Sequence, residues 1–294
     1  MPYNYITKDN GLFDQKIRQG LLTDALGQPE VTWLAGGKSF TLTTITTSGF
    51  QPHTRNKGYN SGTVNNDKKV YTMGQDRDIE FYVDRQDVDE TNMDLAVANI
   101  SKTFIEENAS PEIDAYRFAT IASKALEAKQ SKEIAITAAN AYSAVKDAIK
   151  PLRKYGAQNL IGYLSSNVMD CLERSTEFTR SITNQNVGQT ALESRITSLD
   201  GVTLIEVWDD SRFKSAFDFT NGYTPKADAQ GIEIEVVATP AVIPVVKEES
   251  IYLFAPGQHT EGDGFLYQNR LYHDFFVREN KKDGLSVALA PKEG

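Results

Sequence analysis

The residues that can carry chemistry are few and widely spaced in this sequence. Its three histidines are His53, His259 and His273. His273 precedes Asp274, and a histidine beside a carboxylate can serve in acid–base catalysis. The pair stands among aromatic residues, however, in a pattern typical of a packed strand. We therefore predict a structural role for His273 and Asp274.

Candidate metal and phosphate sites are equally weak. The acidic run DRQDVDET (84–91) lacks the glycine and the ligand spacing of a calcium loop, so it predicts a strand-to-helix junction. GQHTEGDG (257–264) is typical of a flexible polar loop, and AGGK (35–38) is too short for a phosphate-binding loop. The motifs GxGxxG, GxxxxGK[ST] and GxSxG do not occur. We predict no catalytic, cofactor-binding or metal-binding residue, and no enzyme.

Composition limits the remaining classes of protein. The 294 residues are 40% hydrophobic, which suits one large or two modest domains. Lys plus Arg is 31 and Asp plus Glu is 40, so the net charge of −9 disfavours a general phosphate-backbone binder. The single cysteine, Cys171, excludes an internal disulfide framework. Its amphipathic surroundings, SNVMDCLERS, predict a short helix with a buried structural thiol.

Membrane insertion and secretion are not predicted. The longest apolar run, VVATPAVIPVV (236–246), contains two prolines and is far shorter than the roughly 18 residues of a membrane helix. The first residues, MPYNYITKDN, lack the basic and apolar regions of a secretion signal. We expect a chain that is made, and at first used, inside a cell.

The elements that would position any site indicate an α+β fold, beginning with a long hairpin. GGKSFTLTTITTSG (36–49) is a strand candidate, and a polar stretch follows it to Lys69. DIEFYVDRQDVDE then starts a second strand with Ile79, Phe81 and Val83 on one face. We predict that these two strands pair as an arm with the polar stretch as its tip.

Charge divides this arm into two parts. The tip, residues 50–69, has a net charge of +3, from Arg55, Lys57, Lys68 and Lys69 against Asp67. The base, residues 76–94, has a net charge of −6, and its candidate contact residues are Asp84, Asp87, Asp89 and Glu90. Two interpretations remain open: contact between the tip of one copy and the base of the next, or ordinary solvated charge.

A long helical region follows from near Thr91. Met93, Val97, Ile100 and Phe104 form one apolar stripe, and a second face follows after Pro111. The second face comprises Phe118, Ile121, Ala122, Ala125 and Leu126. Ser110 suits an N-cap and Pro111 the first helical position, so the helix either restarts there or continues.

The rest of the chain is mixed α/β. A helix is predicted to end at Pro151 and Gly156, followed by a strand NLIGYLS, the SNVMDCLERS helix and a strand VTLIEVWD. Strand-like runs fill the C-terminal 55 residues, and KKDG (281–284) predicts a hairpin turn.

Several of these segments together resemble the major capsid proteins of tailed bacteriophages with the Hong Kong 97-type fold. They are DRDIEFYVDRQDVDETN, SPEIDAYRFATIASKAL, PAVIPVVKEESIYLF and DGFLYQNRLYHDFFVRENKKDG, with the glycine-flanked strand before the polar tip. The resemblance covers about two-thirds of the chain. Residues 150–239 carry little of it and are placed by elimination.

The resemblance implies five parts. Residues 1–36 would be an N-terminal arm, and residues 37–90 an extended loop that lies across the adjacent subunit. Residues 91–135 would hold the spine helix of a peripheral domain, and residues 136–239 an axial domain. Residues 240–294 would be strands that complete the sheet of the peripheral domain.

The implied function is a structural shell. Many copies would form pentamers and hexamers of an icosahedral head around double-stranded DNA, without sequence-specific DNA binding, in the virion and in the host cytoplasm during assembly. Expected partners are a portal protein and, because only about 36 residues precede the loop, a separate scaffolding protein; a decoration protein is left open. The alternatives are an encapsulin-type compartment around a cargo enzyme, and a monomeric enzyme or carbohydrate-binding module.

Overall fold

The structure is a computed structural model of the chain. It describes residues 19–27, 29, 31, 33–34, 37–53, 55, 58–90, 97–175 and 197–292. The predicted Thr91 helix start, Met93, Lys57 and most of residues 1–36 lie outside the described residues.

Thirteen strands and five α-helices are present in the described ranges. The strands are β1 Ser39–Thr47, β2 Val64–Thr72, β3 Gln75–Asp84, β4 Ser131–Glu133, β5 Leu160–Ser165, β6 Ser198–Leu199, β7 Val202–Val207, β8 Phe217–Asp218, β9 Thr224–Pro225, β10 Ile232–Ala238, β11 Val242–Phe254, β12 Gly264–Val277 and β13 Leu285–Leu289. The helices are α1 Arg85–Glu90, α2 Val97–Phe104, α3 Ser110–Glu127, α4 Ala141–Ile149 and α5 Ser166–Glu173.

A six-stranded mixed sheet forms the centre of the fold, in the order β4-β13-β10-β5-β7-β6. Every residue of β5 and every residue of β10 except the partly buried Glu233 is buried, as expected for strands that are covered on both faces. Helices α4 and α5 pack on one face through residues such as Val145 and Leu172, and α3 packs on the other through Phe118 and Ile121. The α+β class predicted from the sequence is confirmed.

A second sheet has three long antiparallel strands in the order β11-β12-β3. β3 pairs with β12 over its whole length, from Gln75 opposite His273 to Asp84 opposite Gly264. Phe81 stacks on Tyr267 at 5.9 Å between ring centroids. Of the predicted apolar face of β3, Val83 is buried and Phe81 is half-buried, whereas Ile79 is exposed, and the strand pairs with β12.

The predicted hairpin between the first strand and β3 is wrong. β1 pairs instead with β2, from Ser39 opposite Thr72 to Thr47 opposite Val64, and residues 48–63 form the loop between them. Part of the predicted polar tip is thus a strand. Packing selects these partners, because Phe40 of β1 stacks on Tyr71 of β2, while Phe81 of β3 stacks on Tyr267 of β12.

Of the two alternatives at Ser110, a restart or a continuation of the helix, the structure shows the continuation. Helix α2 continues through a wide π turn, Ile105–Ala109, directly into α3, and Ser110 has helical φ and ψ of −63° and −45°. Pro111 lacks the N–H of a regular helical bond, and a π turn just before it accommodates that loss. The second apolar face is buried as predicted except for Leu126, which is exposed.

Two C-terminal predictions need correction. KKDG is the end of a 3-10 segment, Glu279–Gly284, that connects β12 to β13 across two sheets and closes no hairpin. The strands of residues 240–294 do not share one sheet: β11 pairs with β12, which also pairs with β3, whereas β13 pairs with β10 and β4. Cys171 is on α5 as predicted but is only half-buried.

Candidate subunit-interface surfaces

The arm, defined here as β1, β2 and their loop, is fixed at its root by aromatic packing. Phe40 is fully buried and stacks on Tyr71 at 5.4 Å between ring centroids. Trp33 and Phe276 contact the Phe40 ring edge-on, at 5.7 and 5.5 Å between ring centroids. This packing fixes the root of the arm to the body of the subunit.

Beyond its root the arm has exposed apolar side chains. They are Ile45, Phe50, Tyr59, Val64 and Val70, and Phe50 and Tyr59 are completely exposed in the isolated chain. Of the nine residues of β2, only Tyr71 at the root is buried. An exposed apolar ribbon of this kind marks a surface for association.

The predicted basic residues occupy different parts of the arm. Arg55 lies in the loop, whereas Lys68 and Lys69 lie in β2, opposite Thr43 and Leu42. They are therefore not at the tip. The Lys69 ammonium donates to Glu279 of its own chain at 3.0 Å, and this hydrogen bond raises the pKa of Lys69.

The predicted acidic residues lie at the far end of β3 and in α1. The Asp84 carboxylate accepts from the Gln86 backbone N–H at 2.8 Å, and it lines a polar depression with Asp89 and Asp263. Asp87 is in α1 and Glu90 is its last residue. The sequence-predicted strand-to-helix junction is confirmed, and the acidic residues there are brought together.

Not all negative charge of the base is available to a partner. Asp76 binds Arg270 through two hydrogen bonds of 2.9 and 2.7 Å, and this pairing lowers the pKa of Asp76. Gln268 donates to Glu80 across the β12–β3 pair at 2.5 Å. Asp76 and Glu80 are thus partnered within the chain, while Asp78 is exposed in β3 and the other described acidic residues of the base lie at the end of β3 and in α1.

Exposed apolar side chains on the three-stranded sheet went unrecognised in the sequence. They lie on both faces of the sheet: Ile79, Ile251 and Leu253 on one face, and Tyr82 and Tyr252 on the other. The run IYLF in β11 was the available signal, because four consecutive apolar residues place apolar side chains on both faces of a strand.

A buried ionic cluster was also missed. Arg212 and Asp114 have fully buried side chains whose nitrogen and oxygen are 3.1 Å apart. Asp114 also accepts from the backbone N–H groups of Leu22 and Thr23 at 3.0 Å, and Arg212 donates to the carbonyls of Gln19 and Gly20. This cluster anchors the segment 19–26 to the body.

His273 and Asp274, the pair considered for acid–base catalysis, lie in environments that suit a structural role. Asp274 accepts from the Gly74 N–H and the Tyr116 hydroxyl, both at 2.7 Å. His273 is buried, and burial together with the nearby Arg117 lowers the pKa of His273 to about 4, so it is neutral at pH 7.

The described residues include no group of three or more histidine, cysteine or acidic side chains that could hold a metal ion. No helix in the described ranges is both long and apolar enough to cross a membrane.

Comparison with known proteins gave matches only among solved structures. No family model matches the chain, and no curated protein matches it. The capsid structure of the cyanophage P-SCSP1u aligns with a TM-score of 0.73 and 12% identity, covering 98% of this chain and 94% of that one. The mature capsid of bacteriophage PhiM1 aligns with a TM-score of 0.66 and 13% identity, covering 100% and 93%. A structure from Gordonia phage Cozz aligns with a TM-score of 0.64 and 11% identity, covering 100% and 92%.

These alignments span the whole chain, so they define the fold of the chain and not only of one part. The chain has the fold of phage capsid subunits. The Hong Kong 97-type fold that the sequence resemblance implied is thereby confirmed.

Proposed function

We propose that this chain is the major capsid protein of a tailed bacteriophage, repeated as pentamers and hexamers in an icosahedral head around double-stranded DNA. The observation that carries the proposal is the arm: a ribbon rooted in the core whose apolar side chains are exposed in the isolated chain. Its natural partner is another copy of the same subunit. The capsid fold over the full chain supports this assignment.

The arm and the acidic base are proposed to meet between neighbouring copies. Arg55 and Lys68 supply positive charge, while Asp84, Asp87, Asp89 and Glu90 supply negative charge near α1. A contact between two different surfaces of the same chain is heterologous, and such contacts generate rings when the rotation closes. Lys69 contributes less, because it already binds Glu279.

The parts of the chain receive proposed roles in the shell. Residues 136–239 would surround the fivefold and sixfold axes, and the helix within 91–135 would be the spine of the peripheral domain. The exposed part of the extended loop proposed for 37–90 lies beyond the buried root residues Phe40 and Tyr71. A portal protein and a scaffolding protein are proposed partners, with assembly in the host cytoplasm and a final place in the virion.

The test is assembly of the full-length chain. Expression alone, and together with the adjacent genes of its own genome, is followed by sedimentation velocity and negative-stain microscopy of one sample. We expect rings, tubes or closed shells of regular subunits. A chain that stays monomeric at high concentration in both settings would contradict the proposal.

The contents of the shell test the second part of the proposal. Heads filled in the presence of the packaging genes should contain double-stranded DNA that survives nuclease treatment. Shells that instead retain a protein cargo and no DNA would contradict genome enclosure, while they would leave the shell-forming role intact.

A further inference from the structure

Glu235 lies at the interface between helix α3 and the six-stranded sheet. It is in β10, directly opposite Tyr163 of β5 and Val287 of β13. Directly paired residues of an antiparallel sheet project to the same face. Tyr163 and Val287 belong to the cluster under α3, where Phe118 meets Tyr163 at 5.0 Å between ring centroids. The Glu235 side chain is therefore directed toward α3.

The environment of Glu235 does not suit a charge. The residue is fully buried, and neither carboxyl oxygen has a hydrogen-bond partner among the described residues. A carboxylate without hydrogen bonds or a cation in such surroundings is strongly disfavoured, so the group takes up a proton instead. Accordingly, burial raises the pKa of Glu235 well above its ordinary value.

The ionisable groups around this interface do not compensate Glu235. Tyr163 is neutral, because burial and the neighbouring Asp114 and Glu235 raise its pKa. On α3, Asp114 is paired with Arg212, and the Arg117 guanidinium donates to Thr23 at 3.0 Å. His273 of β12 and Asp24 of the anchored segment also lie near Arg117, and His273 is neutral.

We propose that Glu235 is a proton-controlled joint between α3 and the six-stranded sheet. With Glu235 protonated, the helix packs closely on the sheet. Loss of the proton places a charge in this interface, and the charge is relieved when α3 separates from the sheet and water enters. The joint belongs to the subunit itself and does not depend on the proposed function.

The direction of the pH effect follows from proton linkage. The open state, with Glu235 in water, has an ordinary pKa, whereas the closed state has a raised one. Closure is therefore most stable below the ordinary pKa and is weakened as pH rises toward the raised pKa. Across that window the opening equilibrium increases by about tenfold for each pH unit.

Hydrogen exchange measures this opening. The full-length chain is examined from pH 5 to pH 9, with its oligomeric state checked by sedimentation at each pH and exchange corrected for its intrinsic pH dependence. Protection of Ala115–Ala125 should fall by about tenfold per pH unit in the wild type within the linkage window. The Glu235→Gln variant should remove that decline.

Glu233→Gln is the matched control. Glu233 is two residues away on β10 and only partly buried, and it accepts from the Ser165 hydroxyl at 2.6 Å. This variant should keep the wild-type decline. If Glu235→Gln does not fold, Glu235→Met supplies a neutral side chain of similar length. Parallel protection profiles for the wild type and the neutral variants, or a wild type without any decline, would overturn the proposal.

Discussion

Arg212 shows how a single buried residue determines where the N-terminal segment leaves the body. Its guanidinium joins Asp114, Asp209 and two backbone carbonyls, at Gln19 and Gly20. Removal of one member leaves the others buried without partners, and this loss costs more than the intact pair contributes. A sequence pattern could not have paired residues 98 positions apart.

Replacement of Arg212 with Ala should therefore lower the free energy of unfolding by about 3–5 kcal/mol. Denaturant titration of the subunit measures the change. Arg153→Ala is the control, since Arg153 binds Asp200 at 2.9 Å with a side chain that is 56% exposed. An exposed pair of this kind should contribute less than about 1 kcal/mol. Equal losses for the two variants would exclude a special role for the buried cluster.

At the scale of elements, local pattern predicted several of the strands but not their partners. β1, β5, β7, β11 and β12 follow from alternation or from β-branched runs. The choice between β2 and β12 as partners is made by packing: Phe40 needs Tyr71 beside it, and Phe81 needs Tyr267. Such contacts join residues that are distant in the sequence, so the sequence pattern did not reveal β2. Lys68 and Lys69 were therefore predicted to lie in the tip, whereas they lie in β2.

Phe40→Ala tests whether the aromatic cluster holds the arm. The ring is fully buried, and its removal should cost about 3–5 kcal/mol locally. Limited proteolysis should then cut within residues 39–72 much faster, while β5 and β10 keep their protection from hydrogen exchange.

Ile45→Ala in the same strand is the matched control. Ile45 is 65% exposed, so its loss should leave the proteolysis of the isolated subunit unchanged. Under the proposed function, it should instead slow assembly. Cleavage of the arm at wild-type rates in Phe40→Ala would show that the root is held by other contacts.

For the whole molecule, charge counts predicted a basic part and an acidic part of the arm, and the structure shows which of these charges are paired within the chain. The acidic residues near α1 come together, whereas Lys69 and Asp76 are paired within the chain. The run IYLF in β11 signalled apolar side chains on both faces of a strand. That Ile251, Tyr252 and Leu253 stay exposed depends on which elements cover the sheet, and this could not be predicted. Association should thus combine charge attraction over distance with apolar contact at close range.

Charge reversal separates these two contributions. The double variant Arg55→Glu/Lys68→Glu should fold normally but assemble about tenfold or more slowly at low salt, because it removes the attraction toward the acidic base. Lys132→Glu/Lys292→Glu makes an equal change in net charge at exposed positions outside the arm. Light scattering during assembly measures the rates.

Added salt screens charges beyond about 8 Å at physiological ionic strength, so the wild-type rate should fall toward that of the arm variant as salt increases. If both double variants are slowed equally, net repulsion between subunits is the cause and the arm has no directed electrostatic contact.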